Sequence, residues 1–172
     1  MLFWATMHIR PLSEDDIAAF KALRLLAIAD APFAVSPTAQ EEAAQTPDEI
    51  RKKIAPNAGQ IVLGAFADDQ LIAIAGLRRE ALSQLAHKAT LWGVFVHPEW
   101  RAQGLARQLF THIKQRAESI GVLQLHLSVN AENHRAKALY TSLGFTTYGV
   151  EPRCMQVNGR FYDEEHMCLR LE

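Results

Sequence analysis

The stretch "KATLWGVFVHPEWRAQGLARQLF", residues 88–110, constrains the fold more than any other. Its first part, Lys88 to Val96, is aromatic and β-branched, the composition of a pleated, half-buried strand. Pro98 follows and has no N–H with which to continue a ladder. From about Gly104 to Ser119 the period changes. Leu105, Leu109, Ile113 and Ala117 recur every four residues with Phe110 beside them, the stripe of a helix that covers a core, and Gly121 ends it. A strand that runs through a short polar turn into a helix needs a sheet with helices against it.

The rest of the chain alternates in the same way. "HIRPL" reads as a first strand. In "SEDDIAAFKALRLLAI", Ser13 is a good N-cap, acidic residues fill the first turn, and Ile17, Phe20, Leu23 and Ala27 share one helix face. "TPDEIRKKI" repeats the signature, with Thr46 as cap, Pro47 at the first helical position and Glu49 completing a capping box. Between them, Ala29 to Pro47 is a loop with broken helix, interrupted by prolines. "QIVLGAFADDQLIAIAGLRRE" reads as strands Gln60 to Ala67 and Leu71 to Arg79, joined in a hairpin at Asp68-Asp69. "LQLHLSV" alternates, with Leu123, Leu125, Leu127 and Val129 on one face. "NHRAKALYTSLGF" is a helix whose Ala136, Leu139, Tyr140 and Leu143 face the core, stopped at Gly144. Asn158-Gly159 and the closing strand "HMCLRL" complete a last hairpin. The order βααβββαβαββ predicts a mixed sheet with helices on it.

At 172 residues the chain is the size of one domain, taken as residues 1–172, with "MLFWAT" at 1–6 read as an extension and Met7 as an alternative start. Apolar residues at 49% and charged ones at 22% exclude a disordered chain. A formal net charge of −1 without a Lys/Arg cluster argues against a nucleic-acid partner. No apolar run is long enough to span a bilayer, so the expectation is a cytoplasmic protein without a membrane partner. Cys154 and Cys168 are too few for a disulfide framework and read as reduced, packed thiols. His97, His126 and His134 lack the paired spacing of metal ligands, and no metal is expected.

"RAQGLAR", Arg101 to Arg107, carries the chemistry. A helix N-terminus presents backbone N–H groups without intrahelical partners and a partial positive charge, and both suit an anion. Phosphate oxygens need those groups close, so small residues are required where the backbone touches them. Gly104 and Ala106 meet that need, and Arg101, Gln103 and Arg107 add donors at the rim. On the residues alone, a glycine that relieves a tight turn before a solvated helix start accounts for the pattern equally well. The pattern is neither the dinucleotide-binding glycine triplet nor a nucleotide-triphosphate loop.

"VFVHPEWRAQGLARQLF" followed by "LHLSVNAENHRAKALYTSLGF" resembles the GNAT family of N-acetyltransferases. Their acetyl-CoA motif, Arg/Gln-x-x-Gly-x-Gly/Ala, follows a strand and a proline. The resemblance covers Trp92 to Phe145 in detail, and the element order extends it over nearly the whole chain. It implies the acyl-CoA N-acyltransferase fold of class α/β (α+β): a mixed, mostly antiparallel twisted sheet of about seven strands flanked by helices. It implies acetyl-CoA as co-substrate, with Val94, Phe95 and Val96 offering backbone groups to the pantetheine arm. Arg101, Ala102, Gln103, Gly104, Leu105 and Ala106 would wrap the pyrophosphate, with Arg107 close by. Asn133 would contact the cofactor arm, and Tyr140 would sit near the thioester sulfur and protonate the departing thiolate. Read without the resemblance, Tyr140 is a core aromatic and Asn133 a helix cap.

The implied reaction is direct attack of a primary amine, of a small molecule or a peptide, on the thioester. A protonated amine has no lone pair, so its proton must be removed. The carbonyl oxygen gains charge in the transition state, and the Val96 N–H is the proposed donor to it. In the branch that acetylates protein N-termini a glutamate serves as base on the strand before the Tyr-bearing helix. Here that position is Ser128, with Asn130 where an arginine would sit, and a serine is a poor base. Glu80, Glu99, His97 and a water held by Ser128 are the remaining candidates. A non-catalytic acyl-CoA-binding module or sensor of the same fold is the alternative that the missing glutamate favours. The acceptor is expected to be read by residues 23–54 and by the late hairpin, 151–165. The family often forms homodimers through edge strands, and "HMCLRL" would suit such an edge.

Overall fold

The computed structural model describes residues 6–172; the expected extension, apart from Thr6, lies outside the described residues. Thr6 exchanges hydrogen bonds with Asp68 (Thr6 N to Oδ1 and Asp68 N to Thr6 O, both 2.9 Å) just ahead of the first strand. The strands are β1 (Met7–Pro11), β2 (Gln60–Ala67), β3 (Gln70–Arg79), β4 (Lys88–Val96), β5 (Gln124–Asn130), β6 (Thr146–Val157) and β7 (Arg160–Arg170). They form one seven-stranded sheet in the order β1-β2-β3-β4-β5-β7-β6. Every neighbouring pair is antiparallel except β4 with β5. The expected mixed, mostly antiparallel sheet is therefore present. "HMCLRL" belongs to β7, which β5 and β6 flank on both sides, so it is an interior strand and not the edge expected from its apolar character. Its apolar residues are there for the core: Met167 is buried.

The helices are α1 (Ile17–Asp30), α2 (Ala39–Ala44), α3 (Pro47–Ile54), α4 (Leu105–Ser119) and α5 (His134–Ser142). Thr46 caps α3 and Glu49 reaches back to its N–H, the expected box; Thr38 and Glu41 do the same for α2, within the loop read as broken helix. Alternation along β2 separates two cores. Leu63 and Ala65 face α4, where Leu109, Ile113 and Ala117 are fully buried against Leu125, Leu127 and Val129. Val62 and Phe66 face α1 and α3 and pack with Phe20, Leu23, Ile50 and Ile54. Leu123 does not join the stripe of β5; it precedes the strand and is exposed. Among the described residues no helix is long and apolar enough to cross a membrane.

The parallel neighbours β4 and β5 stay together only briefly. They pair at Lys88↔Gln124, Ala89↔Leu125 and Thr90↔His126, and then separate. The cause lies in β4. Between Trp92 and Phe95 it has one residue more than β3 has between Gly76 and Ile74, a bulge, and Gly93 takes φ +64 there. Bulges bend the strand that carries them. The Trp92 indole lies on Gly76, where an added Cβ would come within about 2.4–2.8 Å of the ring. A wedge results, with Trp92–Val96 on one side and Ser128–Asn130 on the other.

At the start of α1 an ion pair between half-exposed Arg10 and buried Asp16 ties the first strand to the first helix. Asp16, 5% exposed, accepts from Arg10 Nη1 (2.7 Å) and Nη2 (2.9 Å) and from the Ser13 N–H (2.8 Å). Chiefly through the Arg10 hydrogen bond, its carboxyl is held below the ordinary carboxylate range despite burial. Asp16→Asn is expected to lower unfolding free energy in urea by about 2 kcal/mol at neutral pH, the scale of a charge-assisted hydrogen bond. The depressed carboxyl stabilises the fold above the ordinary Asp value of about 3.9 and loses that effect as pH falls through its lower folded value. Wild-type and Asp16→Asn stabilities should therefore converge in acid.

Candidate functional site

The wedge opens into a cleft of about 1260 Å³. Residues 92–96 of β4 and 127–130 of β5 form its walls, Arg101, Ala102, Leu105 and Ala106 one end, and Asn133, Ala136 and Tyr140 of α5 another side. Phe33, from the loop after α1, and Tyr162, from the β6–β7 hairpin, stack across the opening at 5.6 Å and 15°. Asn130, almost fully buried, holds that loop in place: its Nδ2 donates to Phe33 O and its Oδ1 accepts from Glu132 N, each at 2.9 Å.

At one end the backbone forms an anion cradle. Gly104 is the N-cap of α4 at φ +77 and has no side chain to cap it, and Ala102 is also left-handed at φ +59. Such alternation turns successive N–H groups inward to make a nest. The first bond into the helix runs from Gln108 N to Gly104 O (3.0 Å), so the N–H groups of residues 105–107 have no intrahelical partner. A Cβ on Gly104 would meet only Gln108 Nε2, at 4.0 Å. The need for glycine is thus conformational, and the space ahead of the helix is open. The two arginines expected as rim donors are engaged elsewhere. Arg101 Nη2 donates to Asp30 Oδ2 (2.6 Å) and its Nε to Val96 O (3.1 Å), and Arg107 Nη2 donates to Ser142 Oγ (2.8 Å). Gln103, Gly104 and Arg107 belong to the turn and the helix start without lining the cleft itself.

Along β4 the backbone is also turned to the wedge. His97 N donates to Ile72 O (2.8 Å), which makes Ala73↔Val96 a non-hydrogen-bonded pair. The Val96 N–H and C=O therefore point away from β3 and towards the wedge. By the same alternation the Phe95 backbone faces β3, which removes it from the expected trio of Val94, Phe95 and Val96 as a source of free backbone groups.

At the inner end, Tyr140 packs edge-on against Phe145 (5.9 Å). Burial pushes its phenol up to about 12, so it carries its proton throughout the neutral range. Asn133 caps α5, accepting from Ala136 N (3.3 Å), and lines the cleft as well. Of the candidate bases only Ser128 is a cleft residue. His97 accepts from Glu99 N (3.2 Å) and caps the turn after β4. Glu80 lines a side pocket of about 230 Å³ that shares Thr90, Leu127 and Ser128 with the cleft.

The segments expected to read the acceptor both contribute to the cleft, through Phe33 and Tyr162, but the contacts that join them, Phe33 with Tyr162 and Asn130 with Phe33, are between residues far apart in the chain and carry no local signal. Gly93 carried a usable signal, a lone glycine inside a strand pattern, which marks a bulge.

A profile of the acetyltransferase (GNAT) family matches residues 22–145. The chain belongs to that family. An enzyme of Salmonella typhimurium, [ribosomal protein bS18]-alanine N-acetyltransferase, is 40% identical over 80 residues, a match that covers 46% of this chain and 50% of that protein. This chain thus spans about half the length of the curated relative it matches. Among solved structures, a GNAT-family acetyltransferase from Streptococcus pneumoniae superposes with a TM-score of 0.86 at 23% identity, covering 96% of this chain and 100% of that one. Salmonella typhimurium yncA, solved with acetyl-CoA, gives 0.82 at 21% identity, over 98% of this chain and 95% of the other. The GNAT fold expected from the motifs is thereby established.

On the opposite wall, Cys154 Sγ donates to Glu164 Oε2 (2.9 Å), and this bond, with burial adding to it, pushes the thiol up to about 12. The protonated thiol is a poor nucleophile. Iodoacetamide at pH 7.5 should label Cys154 slowly, and Glu164→Gln should raise the rate at least about tenfold by restoring thiolate. Peptide mapping of the labelled protein reads the site.

Proposed function

We infer that the chain transfers the acetyl group of acetyl-CoA to a primary amine by direct attack, and that the cleft between β4 and β5 is where this happens. The observation that carries the reading is the wedge itself. It leads from an N–H cradle suited to a pyrophosphate, along a strand whose Val96 N–H and C=O have left the sheet ladder, to a protonated tyrosine. On this reading each part takes a separate part of the co-substrate in turn.

In this reading Ala102 to Ala106, with the free N–H groups of the first turn of α4, hold the pyrophosphate. Arg101 and Arg107 add positive potential from their present partners and swing to the phosphates only if Asp30 and Ser142 release them. Val94 and Val96 take the pantetheine arm as an added strand, and the Val96 N–H meets the thioester oxygen as it gains charge. Asn133 orients the arm. Tyr140 donates a hydrogen bond to the departing sulfur. With a phenol raised to about 12, full proton transfer to a thiolate is uphill, so it follows C–S cleavage and does not lead it.

The acceptor is an amine of a peptide or small molecule. A peptide beginning with alanine is the first to test, because the Salmonella relative's name assigns it that kind of amine. A specific observation favours a second reading, a non-catalytic acyl-CoA-binding module: Ser128 stands where the family's peptide-acetylating branch has its glutamate. For a second copy of the chain, the edges of the sheet are β1 and β6.

Calorimetric titration with acetyl-CoA should give micromolar binding for wild type. Gly104→Glu, which sets a negative side chain at a left-handed position before the cradle, should lose it by at least about 10²-fold. Acetyl transfer to alanine-terminated peptides and free L-amino acids, followed by mass spectrometry, then separates enzyme from module. Absence of binding by wild type removes the acetyltransferase reading; binding without transfer to any amine supports the module.

A further inference from the structure

The sheet face on the side of α1 and α3 carries, beyond the end of those helices, a polar array that the acetyl-CoA site does not use. Strand register sets Ser128 of β5 abreast of His166 of β7, and Asn130 abreast of Glu164, with Glu151 of β6 on the far side of Glu164. Residues abreast in an antiparallel pair share a face. Ser128 Oγ lies 2.9 Å from His166 Nδ1, and His166 Nε2 lies 3.5 Å from Glu151 Oε2. A carboxylate only accepts, so a proton on Nε2 would face Glu151 and leave Nδ1 to accept the Ser128 O–H. Ser128 is exposed to both the cleft and the side pocket.

Resting on the acetyltransferase reading, we propose that Ser128, His166 and Glu151 form a cross-strand relay that removes the proton of the acceptor ammonium, in place of a glutamate base. The ammonium proton passes to Ser128 Oγ, directly or through a water, while the Ser128 hydroxyl proton passes to His166 Nδ1. No charge accumulates on the serine oxygen, which answers the objection that serine is a poor base. The imidazolium so formed faces the Glu151 carboxylate, whose part is positioning. The neutral amine then attacks the carbonyl carbon: the N–C bond forms, the C–S bond breaks, Tyr140 gives the sulfur its proton and takes up the second amine proton, so that CoA departs as the thiol. The proton on His166 returns to solvent, one for each amide formed.

The groups around His166 suit that exit. Tyr148 of β6 lies beside it, ring centroids 6.1 Å apart, and its hydroxyl is 3.3 Å from His126 Nδ1. His126 lines the side pocket with Glu80 and Lys88, and burial, with Lys88 next, lowers its affinity for a proton. On the same face, Glu164 accepts from Cys154, whose thiol Glu151 also faces, and Cys168 stands abreast of His126. Glu165 belongs to the opposite face and is paired with Lys137 at 2.6 Å. Glu151 is thus the carboxylate that meets the imidazole.

The test is the pH dependence of acetyl transfer by the intact chain to an alanine-terminated peptide or L-amino acid that wild type turns over. His166→Gln should bind acetyl-CoA as wild type does and lower kcat at pH 7 by about 10²–10⁴-fold, the range for loss of proton transfer. Its rate should rise with pH up to the free amine's own value, about 7.7–8.0 for a peptide terminus, because the proton must then leave in solution. Wild type should reach its plateau at lower pH. Ser128→Ala should show the same alkaline shift, and Glu151→Gln a smaller loss of kcat with little change in KM. His166→Gln with the wild-type kcat and pH profile overturns the relay and leaves the acetyltransferase reading intact. An Nδ1–H tautomer for His166, read by nitrogen-15 NMR, also overturns it. A wild type that acetylates no amine takes down both.

Discussion

The parting of β4 from β5 is the constraint on which the rest of the structure depends. A parallel pair in the middle of a sheet would ordinarily continue its ladder, because backbone groups that leave one must find other partners or water. Here the ladder ends at Thr90 and His126, and it cannot resume. The extra residue near Gly93 puts β4 out of step, and the Trp92 indole seated on Gly76 fixes the bulge from the side of β3. On the other wall β7 holds β5 along its length from Gln124 to Asn130. Each strand is thus well paired on its outer side and free on its inner one. The turn that follows β4 is pinned by Arg101, which grips the Val96 carbonyl and Asp30 together.

The two halves of the cleft are built by different means. The anion cradle, the bulged strand and the tyrosine helix come from one segment, and local backbone geometry makes most of that half: left-handed Ala102 and Gly104, a capped α5, a strand turned by one residue. The opposite half is assembled from distant segments that meet through side chains. Asn130 holds the Phe33 loop, Phe33 stacks on Tyr162, and Ser128 meets His166 across the β5–β7 pair. The first half has little latitude for change. In the second, residues can be exchanged at the contacts without disturbing the sheet beneath.

That division also decides what could be read from the sequence. Helices α3, α4 and α5 are legible because caps and apolar stripes lie within a few residues, and the hairpins because their turns are coded locally. The cradle is legible through Gly104. The fate of "HMCLRL" is not: an apolar strand looks the same in the middle of a sheet as at an edge, and its neighbours are set by long-range pairing. Leu123 fits the alternation of β5 yet lies before it, because alternation does not reveal where a strand starts. Arg101 in the turn and Arg107 in the first turn of α4 find their partners, Asp30 and Ser142, on other elements, so their engagement is invisible to a local reading. The contact between Ser128 and His166 has the same origin, since register alone brings those positions abreast.

The strand order has a consequence for how the protein comes into being. β7, last in chain order, inserts between β5 and β6, so the strand bearing Ser128 lacks one neighbour until residue 170 has left the ribosome. The hairpin of β6 and β7 can close on itself beforehand, but it docks as a unit, over a sequence separation that makes the step slow. A nascent chain halted before that point would already own its cradle and its tyrosine helix, and would lack the wall that faces them. The second wall of the cleft therefore waits on β7, whose arrival completes the pairing of the strand that carries Ser128.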